Sequence, residues 1–476
     1  MTTKITVLGA GPGGYVAAIR AAQLGAEVTV IEADNVGGTC LNWGCIPSKV
    51  MITTAQILEK FHRAGEYGLA VEGSVRADMR LLMARKDAVI KSQIKGILNL
   101  FKHHKIQYIN GAGYIKGPGL AAVGFKGEEL KVPWDKLILA TGTKPMEIPA
   151  FPFDGQKILS SNHALSLEKV PGSIMIVGGG VIGCEFAFIL SSLGAEVTVV
   201  EALDRMLPLP SVDEACSKIL QREMKKRKIK FIVHRTAASF EEAGDQLRVS
   251  LGPSPFLERP SEKDEKPITA EVEQMLVCIG RKPNSSGIGL ETIGLQPDKR
   301  GWIEANERME TAIPDVYAIG DLLGPSKIML AHVASTEGMV AAENAMGSSR
   351  TMDYAVVPGA IFTTPEVANV GLSEAQAREQ GQHVRADSVL FRNLGKAQVI
   401  GEIAGEAKIV SNADSGKILG VHIVGPHATD LIAEATLAMQ MGGSVQDIAA
   451  TIHAHPTLAE IMLEGSFKAL DRSLHG

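Results

Sequence analysis

The sequence lacks the features that would point to a membrane, a nucleic acid or a secreted protein. Neither charge sign dominates, since 48 Lys and Arg stand against 53 Asp and Glu, a formal net charge of −5, and such a balance gives no electrostatic footprint for nucleic acid. No uninterrupted apolar run approaches the roughly 18 residues of a membrane span, and the N-terminus enters a predicted strand without a signal peptide. The five cysteines are an odd number and mostly isolated, unlike a secreted disulfide framework. We therefore expect a cytoplasmic protein, in which a close Cys pair is redox-active more often than structural.

The remaining composition is that of a folded chain with many tight turns. Apolar residues make up 45% and charged residues 21%, which excludes a largely disordered protein. At roughly 100–200 residues per domain, 476 residues predict two to four domains. Glycine accounts for 50 of the 476 residues, above its usual share of about 7%, while aromatic residues are only 5%. Many glycines with few aromatic residues predict an α/β protein with tight turns near a ligand.

Two segments of the chain repeat one pattern at an offset of 169 residues. Residues 7–32 and 176–201 both read as strand, glycine-rich turn, helix, strand and terminal acid. The glycines allow a tight turn and a close approach of the backbone to a pyrophosphate, which the helix N-terminus then binds. The pattern therefore predicts two dinucleotide sites, and the alternative is a duplicated fold that has lost one of them. The aligned residues are Gly9, Gly11, Gly14 and Glu32 in the first copy and Gly178, Gly180, Gly183 and Glu201 in the second.

The two acids indicate which nucleotides bind. Each ends the second strand of its copy, where a carboxylate can accept hydrogen bonds from ribose hydroxyls. Glu201 would repel a 2′-phosphate, so the second site favours NAD over NADP, although Arg205 is a cation close behind it. Two dinucleotides in one chain suggest electron transfer between two cofactors, as in a flavin enzyme that draws on NAD.

A pair of cysteines follows the first copy directly. Residues 37–49 read GGTCLNWGCIPSK, with Cys40 and Cys45 five positions apart. Pro47 favours a helix that begins near Cys45, and both that helix N-terminus and Lys49 would lower the pKa of a thiol. Zinc binding is the competing interpretation but would need a second ligand pair, and an inert buried pair is the other. Three further cysteines are expected to be small buried or half-buried residues: Cys184, Cys216 and Cys278.

A candidate proton acceptor lies near the C-terminus. His455 and Glu460 are five residues apart around Pro456. If the chain turns at the proline and then begins a helix, Glu460 can reach back to the imidazole, orient it and raise its basicity. Oxidation of a dithiol requires such a base, whereas a histidine near an acid is otherwise most often structural. A metal site that uses His453 and His455 is the weaker alternative.

Together these features resemble the flavin disulfide reductases and, within that family, the dihydrolipoamide dehydrogenases. The resemblance covers nearly the whole chain and rests on residues 37–49, the paired nucleotide motifs and HAHPTLAE at 453–460, with support at 137–143, 278–284, 316–321, 329–332 and 418–426. CIPSK has a Ser where glutathione reductases tend to carry a second Lys. No Cys follows Cys278, whereas mercuric reductases carry a C-terminal Cys pair. Trp43 and Thr364 depart from the family pattern, which has a smaller aliphatic residue and often a His at these positions.

The resemblance implies a role for each matching residue. Cys40 is expected to exchange with the dithiol substrate, and Cys45 to contact the flavin. Lys49 is expected near flavin N5 and paired with Glu185, while His455 and Glu460 are expected to come from the partner subunit of a homodimer. The remaining predicted FAD contacts are Thr141, Gly142, Asp321, Ala331 and His332, and Gly280 joins the predicted NAD contacts.

The expected fold is α/β, with four parts. These are an FAD-binding domain at 1–143, an NAD-binding domain at 144–275, a central domain at 276–345 that completes the FAD site, and an α+β dimerisation domain at 346–476. The first two are expected to be Rossmann-like, and residues 252–267 are expected to form an exposed loop.

The resemblance implies oxidation of protein-bound dihydrolipoamide to lipoamide with reduction of NAD⁺ to NADH, through FAD and a Cys40–Cys45 disulfide. We expect the lipoyl groups to be carried by other proteins, those of 2-oxoacid dehydrogenase complexes or of the glycine cleavage system. The alternatives are a related reductase with another disulfide substrate, and a flavin-binding sensor without turnover.

Overall fold

The first copy of the repeat lies in a five-stranded parallel sheet. The computed structural model describes residues 2–125, 128–257 and 266–475. In chain order the elements begin with β1 (Lys4–Leu8), α1 (Pro12–Gln23), β2 (Glu27–Glu32), α2 (Gly38–Trp43), α3 (Cys45–His62), α4 (Met79–His103), β3 (Gln107–Asn110), β4 (Gly113–Gly117), β5 (Leu120–Phe125), β6 (Glu128–Pro133) and β7 (Lys136–Leu139). Strand β1 pairs with β2 on one side and β7 on the other, and β3 lies outside β2.

The second copy builds a second sheet of the same kind. Its elements are β8 (Thr143–Pro145), β9 (Ile158–Leu159), α5 (Ser161–Ala164), β10 (Ser173–Val177), α6 (Val181–Ser192), β11 (Glu196–Val200), α7 (Glu214–Lys226), β12 (Lys230–Ile232), β13 (Arg235–Ala243), β14 (Gln246–Pro253), β15 (Ile268–Val272), β16 (Gln274–Val277) and β17 (Arg281–Pro283). The parallel order is β12-β11-β10-β16-β9.

The observed elements repeat at the offset seen in the sequence. Strand β10 and helix α6 begin and end 169 residues after β1 and α1. The similarity of the two units extends beyond the motif. In each unit a three-stranded antiparallel sheet comes just before the strand that pairs with the first strand of the motif: β4-β5-β6 before β7, and β13-β14-β15 before β16. The predicted pair of Rossmann-like units is confirmed.

The chain returns to the first sheet after completing the second. Both crossings between the two units run through an antiparallel ribbon, in which β8 pairs with β17. Strand β18 (Val316–Ala318) then pairs with β7 as the fifth strand of the first sheet. Helix α8 (Ala331–Ala345) packs on α1 so closely that a side chain at Gly338 would lie 2.4 Å from the Gly13 carbonyl oxygen. The residues predicted as a central domain thus share one hydrophobic core with the first unit.

The C-terminal part is an antiparallel sheet with helices on it. Its elements are β19 (Gly359–Ile361), β20 (Glu366–Gly371), α9 (Glu374–Glu379), β21 (Val384–Leu390), α10 (Gly395–Val399), β22 (Glu406–Asn412), β23 (Ile418–Gly425), α11 (Ala428–Gln440), α12 (Val445–Ala450) and α13 (Glu460–Ala469). The strand order is β19-β20-β23-β22-β21. Its own core of buried aliphatic residues confirms the predicted α+β unit.

Two predicted limits need correction. The boundary at residue 275 falls inside β16, whose four residues all pair within the second unit, and the four-part division otherwise remains a prediction. The predicted loop at 252–267 loses its first two residues to β14, and its residues 258–265 lie outside the described part of the chain. Within the described ranges, no helix is long and apolar enough to cross a membrane.

Candidate active site

The two glycine turns have the same geometry, and each of the three glycine positions in a turn has its own structural environment. Gly9 and Gly178 have φ values of 100° and 109°, in the left-handed region that favours glycine. A Cβ at Gly14 would lie 2.0 Å from the Gly9 carbonyl oxygen, and the same distance at Gly183 is 1.9 Å. The middle glycines differ, because a Cβ at Gly11 would have no neighbour closer than 3.9 Å and one at Gly180 none within 4 Å. No steric contact within the protein requires glycine at these two positions. The open space beside them is where a bound pyrophosphate would lie.

The two predicted ribose ligands also make identical contacts. Glu32 accepts hydrogen bonds from Ala10 N at 2.6 Å and Asp34 N at 2.9 Å. Glu201 accepts them from Gly179 N at 2.6 Å and Leu203 N at 2.8 Å. Each carboxylate therefore lies beside its glycine turn at the carboxyl end of the sheet, where ligands bind in open α/β folds.

Arg205 does not face Glu201. Its guanidinium donates to Ser217 Oγ at 2.6 Å and to the carbonyl oxygens of Leu209 and Val212. These bonds hold the cation on the α7 side, and the preference for NAD over NADP stays a prediction.

The cysteine pair lies at the junction of two helices. Cys40 is in α2, and α3 begins at Cys45, as Pro47 predicts. Both are free thiols of intermediate exposure. A hydrogen bond with the Cys40 thiol, together with the Lys49 cation, lowers the pKa of Cys45 to about 7 against the effect of burial, whereas the interaction with Cys45 and burial raise the pKa of Cys40. These directions favour Cys45 as the thiolate of the pair.

The cysteine site is joined to the second unit by an ion pair. Lys49 Nζ lies 3.0 and 2.9 Å from the two carboxylate oxygens of Glu185, as predicted. Glu185 belongs to α6, and it also accepts a hydrogen bond from Phe362 N at 3.0 Å. The Lys49 ammonium lies 4.3 Å from the centre of the Phe362 ring. One cation thus connects the redox helix, the helix of the second nucleotide turn and the C-terminal part.

The other predicted FAD contacts line the carboxyl end of the first sheet. Thr141 and Gly142 follow β7, Asp321 follows β18, and Ala331 and His332 begin α8. Asp321 accepts a hydrogen bond from Thr143 Oγ1 at 2.9 Å. The Thr141 hydroxyl is buried without a hydrogen-bond partner, so a polar ligand there would satisfy a group that the protein leaves open.

The sequence did not identify Arg281 as a site residue, although residues 278–284 are among the segments that resemble the family. Its guanidinium donates to Thr143 Oγ1 at 2.7 Å and Thr143 O at 2.9 Å, and it lies 3.9 Å from Asp321. Burial lowers the pKa of this guanidinium, against the opposing charges of Asp321 and Cys45. Arg281 directly follows Gly280, a predicted NAD contact whose φ of 132° lies in the left-handed region that favours glycine.

The C-terminal dyad forms as predicted. Glu460 is the first residue of α13, and its Oε1 lies 2.9 Å from His455 Nδ1, while Oε2 accepts from Thr457 N. The His455 side chain is 76% exposed. The dyad's hydrogen bonds stay within the C-terminal part and those of the cysteines within α2 and α3, so the described residues of one protomer do not bring the two together. His453 pairs instead with Glu434 at 2.9 Å, and no cluster of three or more possible metal ligands occurs in the described chain.

Comparison with known proteins assigns the chain to a family. The family model described as pyridine nucleotide-disulphide oxidoreductase matches residues 3–338, and its dimerisation domain matches residues 357–465. The chain belongs to the pyridine nucleotide-disulphide oxidoreductase family.

Several relatives with similar sequences are dihydrolipoyl dehydrogenases. The chain is 41% identical to the dihydrolipoyl dehydrogenase of Chlamydia muridarum, over 98% of this chain and 97% of the relative. It is 39% identical to that of Bacillus subtilis, over 99% and 98%. The structure of LpdA from Mycobacterium tuberculosis matches with a TM-score of 0.89 and 27% identity, over 98% and 99% of the two chains. The Escherichia coli flavoprotein disulfide reductase RclA, at 23% identity, a TM-score of 0.84 and coverage of 97% and 99%, shares the fold.

Membership in this family implies FAD and NAD(H) as cofactors. The residues present fit both groups. The space beside the two middle glycines, the paired acids and the unpartnered Thr141 hydroxyl are what two dinucleotides would use.

Proposed function

We propose that this protein is a dihydrolipoyl dehydrogenase, which oxidises protein-bound dihydrolipoamide to lipoamide and reduces NAD⁺ to NADH. The observation that carries the proposal is the Cys40–Cys45 pair at the junction of α2 and α3, where Lys49 of α3 pairs with Glu185 of the second nucleotide helix. Full-length relatives with this name support the substrate.

The cysteines perform the dithiol chemistry by two exchanges. In the oxidised enzyme, a substrate thiolate attacks the sulfur of Cys40, which forms a mixed disulfide and releases the Cys45 thiolate. The second substrate thiolate then attacks the substrate sulfur that is bonded to Cys40. This closes the lipoyl ring and releases Cys40 as a thiolate. The lowered pKa of Cys45 makes it the better leaving group and stabilises it as the thiolate.

Other residues of the chain would hold the two cofactors. When bound, FAD carries the electron pair from the dithiol centre to NAD⁺. The first glycine turn, Glu32, Thr141, Gly142, Asp321, Ala331 and His332 would hold FAD, with Lys49 beside its ring. The second turn, Glu201 and Gly280 would hold NAD⁺, and Glu201 disfavours a 2′-phosphate.

The His455–Glu460 dyad accepts the substrate protons. Glu460 fixes the imidazole through Nδ1 and leaves Nε2 free to act as the base. Since His455 is exposed and the hydrogen bonds of the dyad stay within the C-terminal part, we assign it to the site of the partner subunit in a homodimer. Loss of such a base typically reduces the rate by about 10²–10⁴-fold.

The substrate is attached to other proteins. We propose the lipoyl-bearing components of 2-oxoacid dehydrogenase complexes or of the glycine cleavage system, in the cytoplasm. The odd set of isolated cysteines, of which Cys184 and Cys216 are buried thiols, supports a reducing compartment.

An anaerobic titration tests the proposal. Dihydrolipoamide should bleach the flavin absorbance of the purified protein, and added NAD⁺ should restore it while NADH appears. Cys45→Ser should lose the first step, whereas Cys184→Ser, which alters a buried thiol of the NAD unit, should retain it. If NADH bleaches the flavin but dihydrolipoamide does not, the fold assignment stands and the chain is a reductase for another disulfide. A protein with no flavin response to either reagent would contradict enzymatic function.

A further inference from the structure

One buried carboxylate in the FAD unit has no place in the chemistry described above. Glu337 lies in the middle of α8 and is 1% exposed. A buried carboxylate is costly unless hydrogen bonds compensate it. Its oxygens accept hydrogen bonds from Gly320 N at 2.7 Å and from the Tyr354 hydroxyl at 2.6 Å. Burial raises its pKa, against both of these bonds.

The backbone group that Glu337 binds directly precedes Asp321. Gly320 has a φ of 70°, which places it in the left-handed region at the sharp turn after β18. The turn aims the Asp321 carboxylate into the cleft, where Thr143 Oγ1 contacts it at 2.9 Å. A displaced Gly320 peptide would therefore displace Asp321.

The same helix carries the other expected contacts with the flavin. Helix α8 begins at Ala331 and His332, six and five residues before Glu337. The Glu337 carboxylate thus connects the two elements that are expected to contact the flavin, the turn after β18 and the start of α8. Glu343 on the same helix contrasts with it, because that carboxylate pairs with Arg20 and Arg350 and fastens the outer end of the helix.

We propose that Glu337 is a positioning residue, which holds the Gly320 peptide so that Asp321 meets the ribityl chain of FAD. This inference rests on the proposed function, since it takes FAD as the ligand of Asp321. Glu337 itself touches neither the cofactor nor the substrate.

A double-mutant cycle on FAD affinity tests the proposal. The dissociation constant of FAD is measured by flavin fluorescence on the purified wild type, Glu337→Met, Asp321→Ala and the double variant. Met fills the space but leaves the Gly320 N–H unpaired, so we expect FAD to bind about tenfold or more weakly. If Glu337 acts through Asp321, the same change should cost little in the Asp321→Ala background.

Companion variants separate positioning from general support of the helix. Glu337→Gln should retain most of the affinity, because an amide can accept from Gly320 N and donate to the Tyr354 oxygen. Glu343→Met should lower thermal stability without any coupling to Asp321. Tyr354→Phe removes only the hydrogen bond from the Tyr354 hydroxyl to Glu337. If Glu337→Met does not fold, this variant should show a smaller coupling to Asp321→Ala, of the same sign.

An equal loss of FAD affinity in both backgrounds, or none in either, would overturn the role of Glu337 and leave the proposed function intact. Unchanged FAD binding by Asp321→Ala would instead contradict the cofactor site itself.

Discussion

At the residue scale, the charge state of Cys45 decides what the site can do. The Cys40 thiol and the Lys49 ammonium both favour its thiolate, and they lower its pKa to about 7. Alkylation of Cys45 by iodoacetamide in the reduced protein should therefore rise with pH through a midpoint near 7, since only the thiolate reacts. In Lys49→Met the midpoint should move to higher pH, because the thiolate loses its cation. Mass spectrometry of the labelled peptide across the pH range measures both midpoints.

A second lysine of the same helix provides the control for this shift. Lys60 lies in α3, 3.6 Å from Glu402 and far along the helix from Cys45. Lys60→Met should leave the midpoint unchanged. Equal midpoints in wild type and Lys49→Met would show that Lys49 does not set the charge of the sulfur.

Residues whose chemistry is local were predictable from the sequence, and the others were not. Cys40, Cys45 and Lys49 share one short motif, and His455 and Glu460 are five positions apart, so both groups could be recognised by spacing. Arg281 depends on Thr143, which is 138 residues away, and Glu337 depends on Gly320, which is 17 residues away in a different element. Only the completed fold brings these pairs together, and spacing carries no signal for them.

At the element scale, the two glycine turns allow a matched pair of substitutions. Gly11 and Gly180 have φ values of −65° and −73°, and the protein leaves room for a Cβ at both positions. Gly11→Ala and Gly180→Ala should therefore fold with near-wild-type stability but block a pyrophosphate. Gly11→Ala should lose bound FAD, whereas Gly180→Ala should stay yellow and bind NAD⁺ about tenfold or more weakly. Flavin content and NAD⁺ titration measure the two effects.

Each of these variants is the control for the other. Loss of FAD in Gly180→Ala, or unchanged FAD content in Gly11→Ala, would contradict the assignment of cofactors to the two turns. By contrast, Gly14→Ala and Gly183→Ala should impair folding, because each Cβ would meet a carbonyl oxygen at 2.0 Å or less.

Another element contact joins the NAD unit to the C-terminal sheet. Lys408 in β22 lies 3.0 Å from Asp213, which caps α7, and 2.6 Å from Glu374. Lys408→Met would leave the buried Asp213 carboxylate without its cation, although Glu374 would keep its pair with Arg378, so the free energy of unfolding should fall by about 3 kcal/mol at neutral pH. Urea denaturation measures this loss.

The pH dependence of this contact has a definite sign. Lys408 lowers the pKa of Glu374, and with the Ala215 N–H it lowers that of Asp213 despite burial. Carboxyl groups with lowered pKa values stabilise the fold above their unfolded pKa, and that contribution disappears as the pH falls through the folded values. The difference between wild type and Lys408→Met should therefore shrink below about pH 4. Lys218→Met removes an exposed pair with Glu214 on α7 and should cost under about 0.5 kcal/mol; an equal loss in both variants would contradict a buried junction.

At the scale of the whole molecule, the order of parts and the return of residues 276–345 to the FAD site were predictable, but the strand that makes this return was not. The repeated motif and the C-terminal pattern identify two nucleotide units and a third unit, and all three are present. The return of β18 to the first sheet was not foreseen as a strand, because a run of three residues gives little periodic signal. The pairing of β18 with β7 spans nearly 180 residues, and no local pattern specifies such a contact.

The exposed dyad makes a prediction about the assembled homodimer. Suppose that each site combines the cysteines of one subunit with His455 of the partner subunit. A Cys45→Ser homodimer and a His455→Gln homodimer then have no complete site. A heterodimer of the two variants has one complete site, since one subunit supplies intact cysteines and the other an intact His455. With differently tagged, co-expressed subunits, the purified heterodimer should recover about half of the wild-type activity per dimer. A heterodimer of Cys40→Ser and Cys45→Ser has no complete site under any arrangement and should stay inactive. If the Cys45→Ser and His455→Gln heterodimer is equally inactive, each protomer must use its own histidine, and the exposure of His455 would need another explanation.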